Sequence, residues 1–244
     1  ALALALRALK DGGRLVAAAP KDKGGSRLRK ELEAFGCTVN EDSRRHHRIA
    51  TVRKPAAPVG LDAAIAEGAP RLHPGLGLWT QPGVFSWDRI DPGSALLVKS
   101  LPPMAGKGAD LGAGIGYLAH TILTSPKVEK LTLIEIDGRA AAAATRNVAD
   151  PRAEVVWAAV RSSGVAPASL DFVVMNPPFH DAGVEDKQLG QAFIRQAAAL
   201  LRKGGVLWLV ANRHLPYEHV LGELFRNVQP RADAGGYKVI EAVK

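Results

Sequence analysis

Three short stretches set glycine or polar residues at the ends of apolar runs. ADLGAGIGYL (109–118) places Asp110 before Gly112, Gly114 and Gly116, a GxGxG spacing that lets the backbone turn tightly and approach a ligand before a helix begins. A diphosphate cradle prefers GxGxxG, and Asp110 would repel phosphate; the same carboxylate suits a cationic amino-acid group. LTLIEIDGR (131–139) ends its apolar run on Glu135, a carboxylate able to accept both hydroxyls of a ribose, with Asp137 placed to cap the next helix. LDFVVMNPPFHDAG (170–183) sets Asn176, Pro177, Pro178, Phe179 and His180 directly after a strand, an amide on a turn that two prolines stiffen, beside an aromatic ring. Each stretch alone reads equally as a tight loop or a plain turn. Three such strand ends in one chain call for a ligand.

Those strand ends need a frame that gathers them. From residue 83 onward the signals alternate: a short strand ending near Leu111, a helix from about Gly116, strand 131–136, helix 138–148, strand 154–158, strand 170–175, helix 188–202 and strand 206–211. Apolar runs separated by helices indicate a parallel sheet covered on both faces, an α/β fold whose ligands lie at the carboxyl ends of the strands.

Composition narrows the class. With 47% hydrophobic and 23% charged residues in 244, the chain is an ordinary globule and not a disordered one. The single Cys37 permits no internal disulfide and fits a reducing compartment, and no apolar run approaches the ~18 residues that span a bilayer, so a cytoplasmic protein without a membrane segment is expected. The opening ALALAL has no preceding basic segment and no small-residue cleavage site, and reads as a helix. His46 and His47, with the scattered His73, His120, His214 and His219, lack ligand spacing and thiol partners, so no metal site is expected.

Charge and repetition divide the chain. Residues 1–54 hold 13 Lys/Arg against 6 Asp/Glu, whereas residues 55–244 hold 19 against 18. Such a basic face either attracts phosphate backbones or serves solubility; Arg27, Arg29, Lys30, Arg44, Arg45 and Arg48 are its densest part. RALKDGGRLVAAAP (7–20) aligns with ALLRKGGVLWLVAN (199–212), and RIATVRK (48–54) with KVIEAVK (238–244), each copy reading as helix, Gly-Gly turn, strand, helix and final strand. The expected organisation is a C-terminal remnant of a first α/β domain over 1–54, a Pro/Gly-rich linker over 55–82 and a complete domain over 83–244. The natural protein is then expected to hold on the order of 120 further residues before Ala1, by the length of the second copy.

Together DLGAGIG, Glu135 and NPPF resemble the first, second and amine-methylation motifs of class I S-adenosylmethionine-dependent methyltransferases. GVFSWDRIDPGSALL (83–97), NPPFHDAG (176–183) and VANRHLPYEHVLGELF (210–225) narrow the resemblance to the tandem ribosomal RNA guanine-N2 methyltransferases of the RsmC type, over residues 83–244. It implies a Rossmann-like, mostly parallel seven-stranded sheet with helices on both faces, preceded by the C-terminal part of a degenerate copy that serves structure and RNA recognition. S-adenosylmethionine would lie across Asp110, Gly112, Ala113, Gly114 and Gly116, with Glu135 on the ribose, Phe85 and Ser86 near the methionine end, and Asn176 between cofactor and target amine. Phe179 would stack on the base, while Arg44, Arg45 and Arg48 would hold RNA. The implied partner is ribosomal RNA or a ribosomal subunit, the small one favoured, met by a monomer. One departure stands out: many relatives carry Asp or Asn after the third strand to hold adenine, whereas AEVVWAAVRSS puts Ala159 there, leaving Ile136 and backbone groups near Ala159 and Val160.

The implied chemistry accounts for the motif. An exocyclic guanine amine is a poor nucleophile because its lone pair is delocalised into the ring, and accepting both its hydrogens from one side favours a pyramidal nitrogen. The Asn176 amide oxygen and the Pro177 carbonyl suit that task, and His180 either relays the departing proton or bonds locally. Similar motifs serve adenine-N6 and protein-glutamine methylation, and a silent RNA-binding assembly protein could keep the fold; a damaged cofactor turn or a missing Asn would mark the last, and both are intact.

Overall fold

A computed structural model of the protein describes residues 1–178, 180–181, 184–185 and 187–244, the side chains at 180, 181, 184, 185 and 187 excepted. The chain divides into two units, Ala1–Ala69 and Pro70–Lys244. The first contains α1 (Leu2–Ala8), β1 (Arg14–Pro20), α2 (Leu28–Ala34), β2 (Asn40–Arg44), β3 (His47–Arg53) and α3 (Leu61–Glu67). Its sheet is antiparallel in the order β1-β3-β2, and Leu6, Leu32 and Leu61 from the three helices form one core with Ala50 and Val52 of β3.

Residues 55–82 are therefore no separate linker. Helix α3 buries Leu61 in the first unit, while β4 (Arg71–His73) and β5 (Leu78–Thr80) form a hairpin of the second. Pro and Gly punctuate this segment, but the elements between them are short enough to fit.

The second unit continues with α4 (Pro92–Ser100), β6 (Gly106–Leu111), α5 (Tyr117–Ile122), β7 (Val128–Glu135), α6 (Gly138–Asn147), β8 (Ala153–Trp157) and β9 (Leu170–Met175). After the short ribbon β10 (His180–Asp181) and β11 (Val184–Glu185) come α7 (Lys187–Leu200), β12 (Leu201–Asn212), α8 (Glu218–Leu224), β13 (Asn227–Ala234) and β14 (Tyr237–Val243). Seven strands form one sheet in the order β13-β14-β12-β9-β6-β7-β8; β12, β9, β6, β7 and β8 run parallel, and β14 is antiparallel to both neighbours. Successive residues of β9 serve opposite faces: Phe172 and Val174 pack with Leu97 of α4, Leu118 of α5 and Ala144 of α6, while Val173 and Met175 pack with Ile194 of α7 and Val220 of α8. A sheet covered on both faces explains the unbroken apolar run LDFVVM. This is the Rossmann-like α/β fold expected from the sequence.

The two units share a motif. In each, a helix is followed by a Gly-Gly pair, before β1 in the first unit and within an irregular stretch of β12 in the second, then by a helix and an antiparallel hairpin whose second strand pairs with the first (β1-β3-β2 and β12-β14-β13). The Gly-Gly turns match bond for bond: Gly12 N donates to Lys54 O at 2.9 Å and Lys54 N to Gly13 O at 2.8 Å, as Gly204 N donates to Lys244 O at 3.0 Å and Lys244 N to Gly205 O at 2.9 Å. Gly12 and Gly204 take left-handed φ values of 71° and 77°. The hairpin partners β2 and β13 escape sequence reading because NEDSR is exposed at every position and shows no alternation.

Candidate active site

The chain runs outward from β6 through β7 to β8, then returns to the other side of β6 as β9. At that switch the carboxyl ends of β6 and β9 lead away from each other and open a crevice. Gly112, Ala113 and Gly114 follow β6 and Asn176 follows β9; all four line one cleft, together with Leu76, Leu78, Phe85, Ser86, Asp91 and Ser94. Gly112 and Gly114 take φ of 77° and 56°, the left-handed backbone that a side chain would disfavour. Asn147, at the end of α6, staples the surroundings: its Oδ1 accepts from Trp79 N at 2.7 Å, and its Nδ2 donates to the carbonyls of Trp79 and Ile115, each at 2.9 Å.

Two carboxylates stand beside the turn. Glu135 is buried, its Oε2 accepting from Gly114 N at 2.7 Å and its Oε1 from Asp137 N at 2.8 Å. Asp137 in turn caps α6 by accepting from Arg139 N. Asp110 is fully buried, and neither carboxylate oxygen has a hydrogen-bond partner among the described residues. Burial, then the nearby negative charge of Glu135, pushes its carboxyl up to about 8. A buried acid without partners is costly to folding, and its presence points to a ligand that donates or carries positive charge.

Asn176 is anchored by the start of α4. Its Nδ2 donates to Asp91 Oδ2 at 2.8 Å and to Ser94 Oγ at 2.9 Å. Neither partner was singled out from the sequence; Asp91 caps α4, and Pro92 sits in its first turn.

Not every expected residue lines the cleft. Gly116 does not line the cleft; a Cβ there would meet Val148 Cγ2 at 2.8 Å, so its glycine lets the start of α5 approach α6. Ile136, Ala159 and Val160 are likewise absent from the lining, as are Asp110 and Glu135, which stand behind the glycine turn; the Val160 side chain packs into the core, and the Ile136 carbonyl accepts from the Trp157 indole at 2.9 Å. Phe179 and the His180 side chain lie outside the described residues. Arg44, Arg45 and Arg48 belong to the first unit, on β2, β3 and the turn joining them. Of the six cations expected to contact phosphate, Arg27, Arg29, Arg44 and Arg48 each stand within 4 Å of an Asp or Glu, so more of that charge is neutralised than the sequence suggested; among the described residues Lys30 and Arg45 show no ion pair.

The residues fit S-adenosylmethionine: a glycine turn for close backbone approach, Glu135 for ribose hydroxyls and an unpartnered Asp110 for a cationic group. Fold and site together define a Rossmann-like methyltransferase, and residues 75–241 match the family model described as methyltransferase small domain. The ribosomal RNA small subunit methyltransferase C of Pseudomonas entomophila is 32% identical over 98% of this chain and 74% of that protein. Its namesake in Cronobacter sakazakii is 40% identical over 67% of this chain and 48% of its own length. A solved structure, the T. thermophilus 16S rRNA N2 G1207 methyltransferase (RsmC) in complex with AdoMet and guanosine, superposes with a TM-score of 0.80 at 31% identity, covering 100% of this chain and 68% of that one. The chain belongs to the ribosomal RNA small subunit methyltransferase C family.

Proposed function

We propose that this chain transfers a methyl group from S-adenosylmethionine to the exocyclic N2 amine of a guanine in small-subunit ribosomal RNA. The observation that carries the reading is that the glycine turn after β6 and Asn176 after β9 line one cleft. The names of the relatives, and the guanosine and AdoMet in the T. thermophilus complex, support the substrate and the cofactor.

Asp110, Gly112, Ala113, Gly114 and Glu135 would hold the cofactor, with Phe85 and Ser86 at the cleft mouth. When bound, S-adenosylmethionine supplies an electrophilic methyl group on a cationic sulfonium. The Asn176 Oδ1 and the Pro177 carbonyl accept the hydrogens of the target amine, concentrating its lone pair on nitrogen, and Phe179 stacks on the base. Holding amine and methyl group in line contributes roughly 7–11 kcal/mol through positioning alone.

Residues 1–54 are read as the C-terminal part of a degenerate first methyltransferase-like domain that holds RNA. The matched Gly-Gly turns and shared hairpin topology support the repeat. Surface ion pairs at Arg44 and Arg48 are each worth about 0–1 kcal/mol and would yield to phosphate. A monomer working in the cytoplasm completes the reading, in keeping with one buried free thiol, Cys37; among the described residues no helix is long and apolar enough to cross a membrane. Sedimentation tests the monomer.

Mass spectrometry of nucleosides from the small-subunit RNA of a deletion strain tests the activity. N2-methylguanine should be depleted there, restored by the wild-type gene and not by Asn176→Ala. Methylated adenine or glutamine as the sole product would overturn the substrate.

A further inference from the structure

We infer that Asp91 is a positioning residue that fixes which way round the Asn176 amide faces in the cleft, a role that rests on the reading of Asn176 as the acceptor of the target amine. A side-chain amide has two orientations of nearly equal shape, one presenting oxygen and the other nitrogen. Only the first accepts hydrogens from an amine.

Both Nδ2 hydrogens of Asn176 are engaged, one by Asp91 Oδ2 at 2.8 Å and one by Ser94 Oγ at 2.9 Å, which turns Oδ1 away from the start of α4. The two partners are not equivalent. A hydroxyl donates or accepts, so Ser94 tolerates either orientation. An ionised carboxylate only accepts. Turning the amide over would set Oδ1 against Asp91 Oδ2 and leave two acceptors facing each other in a part-buried place, so Asp91 is the group that discriminates. Its charge also polarises the Asn176 amide in the useful sense, since bonds in a chain strengthen one another.

Asp91 is itself held independently of Asn176. The same Oδ2 accepts from Ser94 N at 2.7 Å, capping α4, whose Leu97 is fully buried in the core. Pro92 starts the helix, and Gly93 lets it press on the Tyr237 ring, which a Cβ at that position would meet at 2.9 Å. Asp91 and Asn176 are 85 residues apart in sequence, yet the docking of α4 on the sheet makes one the template for the other.

The decisive variant is Asp91→Ser, which retains a helix cap but is too short to span to Asn176, leaving the amide to Ser94, which tolerates either orientation. Turnover of small-subunit RNA should fall on the order of 10–100-fold in kcat, as for other partners that orient a reacting group. KM for RNA, S-adenosylmethionine affinity by calorimetry and the melting temperature should change little. Asp91→Asn, whose capping oxygen is the one that faces Asn176, should lose less, as should Ser94→Ala. In an Asn176→Ala background, Asp91→Ser should cost nothing further under single-turnover conditions.

Wild-type kcat in Asp91→Ser, with Asn176→Ala inactive, would overturn the positioning role and leave the reading of Asn176 intact. Wild-type turnover in Asn176→Ala would overturn that reading itself. A fall in cofactor affinity as large as the fall in kcat would also overturn the inference, by placing Asp91 on the cofactor.

Discussion

Glu135 Oε2 accepts the backbone N–H of Gly114 at 2.7 Å, tying the end of β7 to the glycine turn that follows β6. With Oε1 on Asp137 N, each carboxylate oxygen keeps lone-pair capacity for a ligand hydroxyl. Glu135→Gln preserves the size but turns an NH2 toward one of these backbone donors. Calorimetry should show S-adenosylmethionine binding weakened by about 1.5–3 kcal/mol, the range of a charge-assisted hydrogen bond. Unchanged affinity in both Glu135→Gln and Glu135→Ala would remove the ribose role.

Asp110 gives the cofactor site a pH dependence. Burial, then the charge of Glu135, pushes its carboxyl up to about 8, so near neutrality it is largely protonated in the free protein. A cationic ligand favours the ionised form and must displace that proton. S-adenosylmethionine affinity should therefore rise from pH 6 to 7.5, approaching tenfold per unit, with proton release visible as a dependence of binding enthalpy on buffer. The sign for folding is the opposite: the folded state holds a proton that the unfolded chain gives up near pH 4, so stability falls as pH rises from about 4 to 8. Asp110→Asn should flatten both profiles, and a flat wild-type binding profile would refute the role.

Gly190, on α7, faces the buried ring of Tyr217, and an added Cβ would collide with the phenol hydroxyl. Gly190→Ala should destabilise the fold by about 1–3 kcal/mol through overpacking, against the helix propensity that alanine ordinarily improves. Chemical denaturation measures it. A more stable variant would show that Tyr217 yields freely.

Arg45 and His46 form the two-residue turn between β2 and β3, with φ of 46° and 64°. Asn-Gly ordinarily fills such turns, and an arginine there costs on the order of 1 kcal/mol. Arg45→Asn should stabilise the protein, weaken RNA binding and reduce its salt slope by about 0.7–0.9 log units; replacing Arg44 and Arg48 as well should reduce it further. An unchanged slope would mean that these arginines only solvate the surface.

Local chemistry was legible along the chain. The run LDFVVM determined a doubly covered strand, Leu170–Met175, because a sheet buried on both faces needs apolar residues at every position. Asp137 determined a helix cap, and the two Gly-Gly pairs marked places with the same backbone hydrogen bonds in both units, because these depend on neighbours in sequence. Other features depended on surfaces that meet only in the fold. Gly116 looked like its neighbours Gly112 and Gly114, yet it serves helix packing, since one residue type allows both backbone approach to a ligand and approach of one helix to another. IDPGS holds the Asp cap and first-turn Pro of α4, but only the docking of α4 at the carboxyl end of β9 gave Asp91 its second partner, Asn176. The sequence by itself determined which groups stand at the strand ends; the tertiary structure decided which of them face one cleft, because strand order and helix docking bring together residues whose spacing along the chain carries no period.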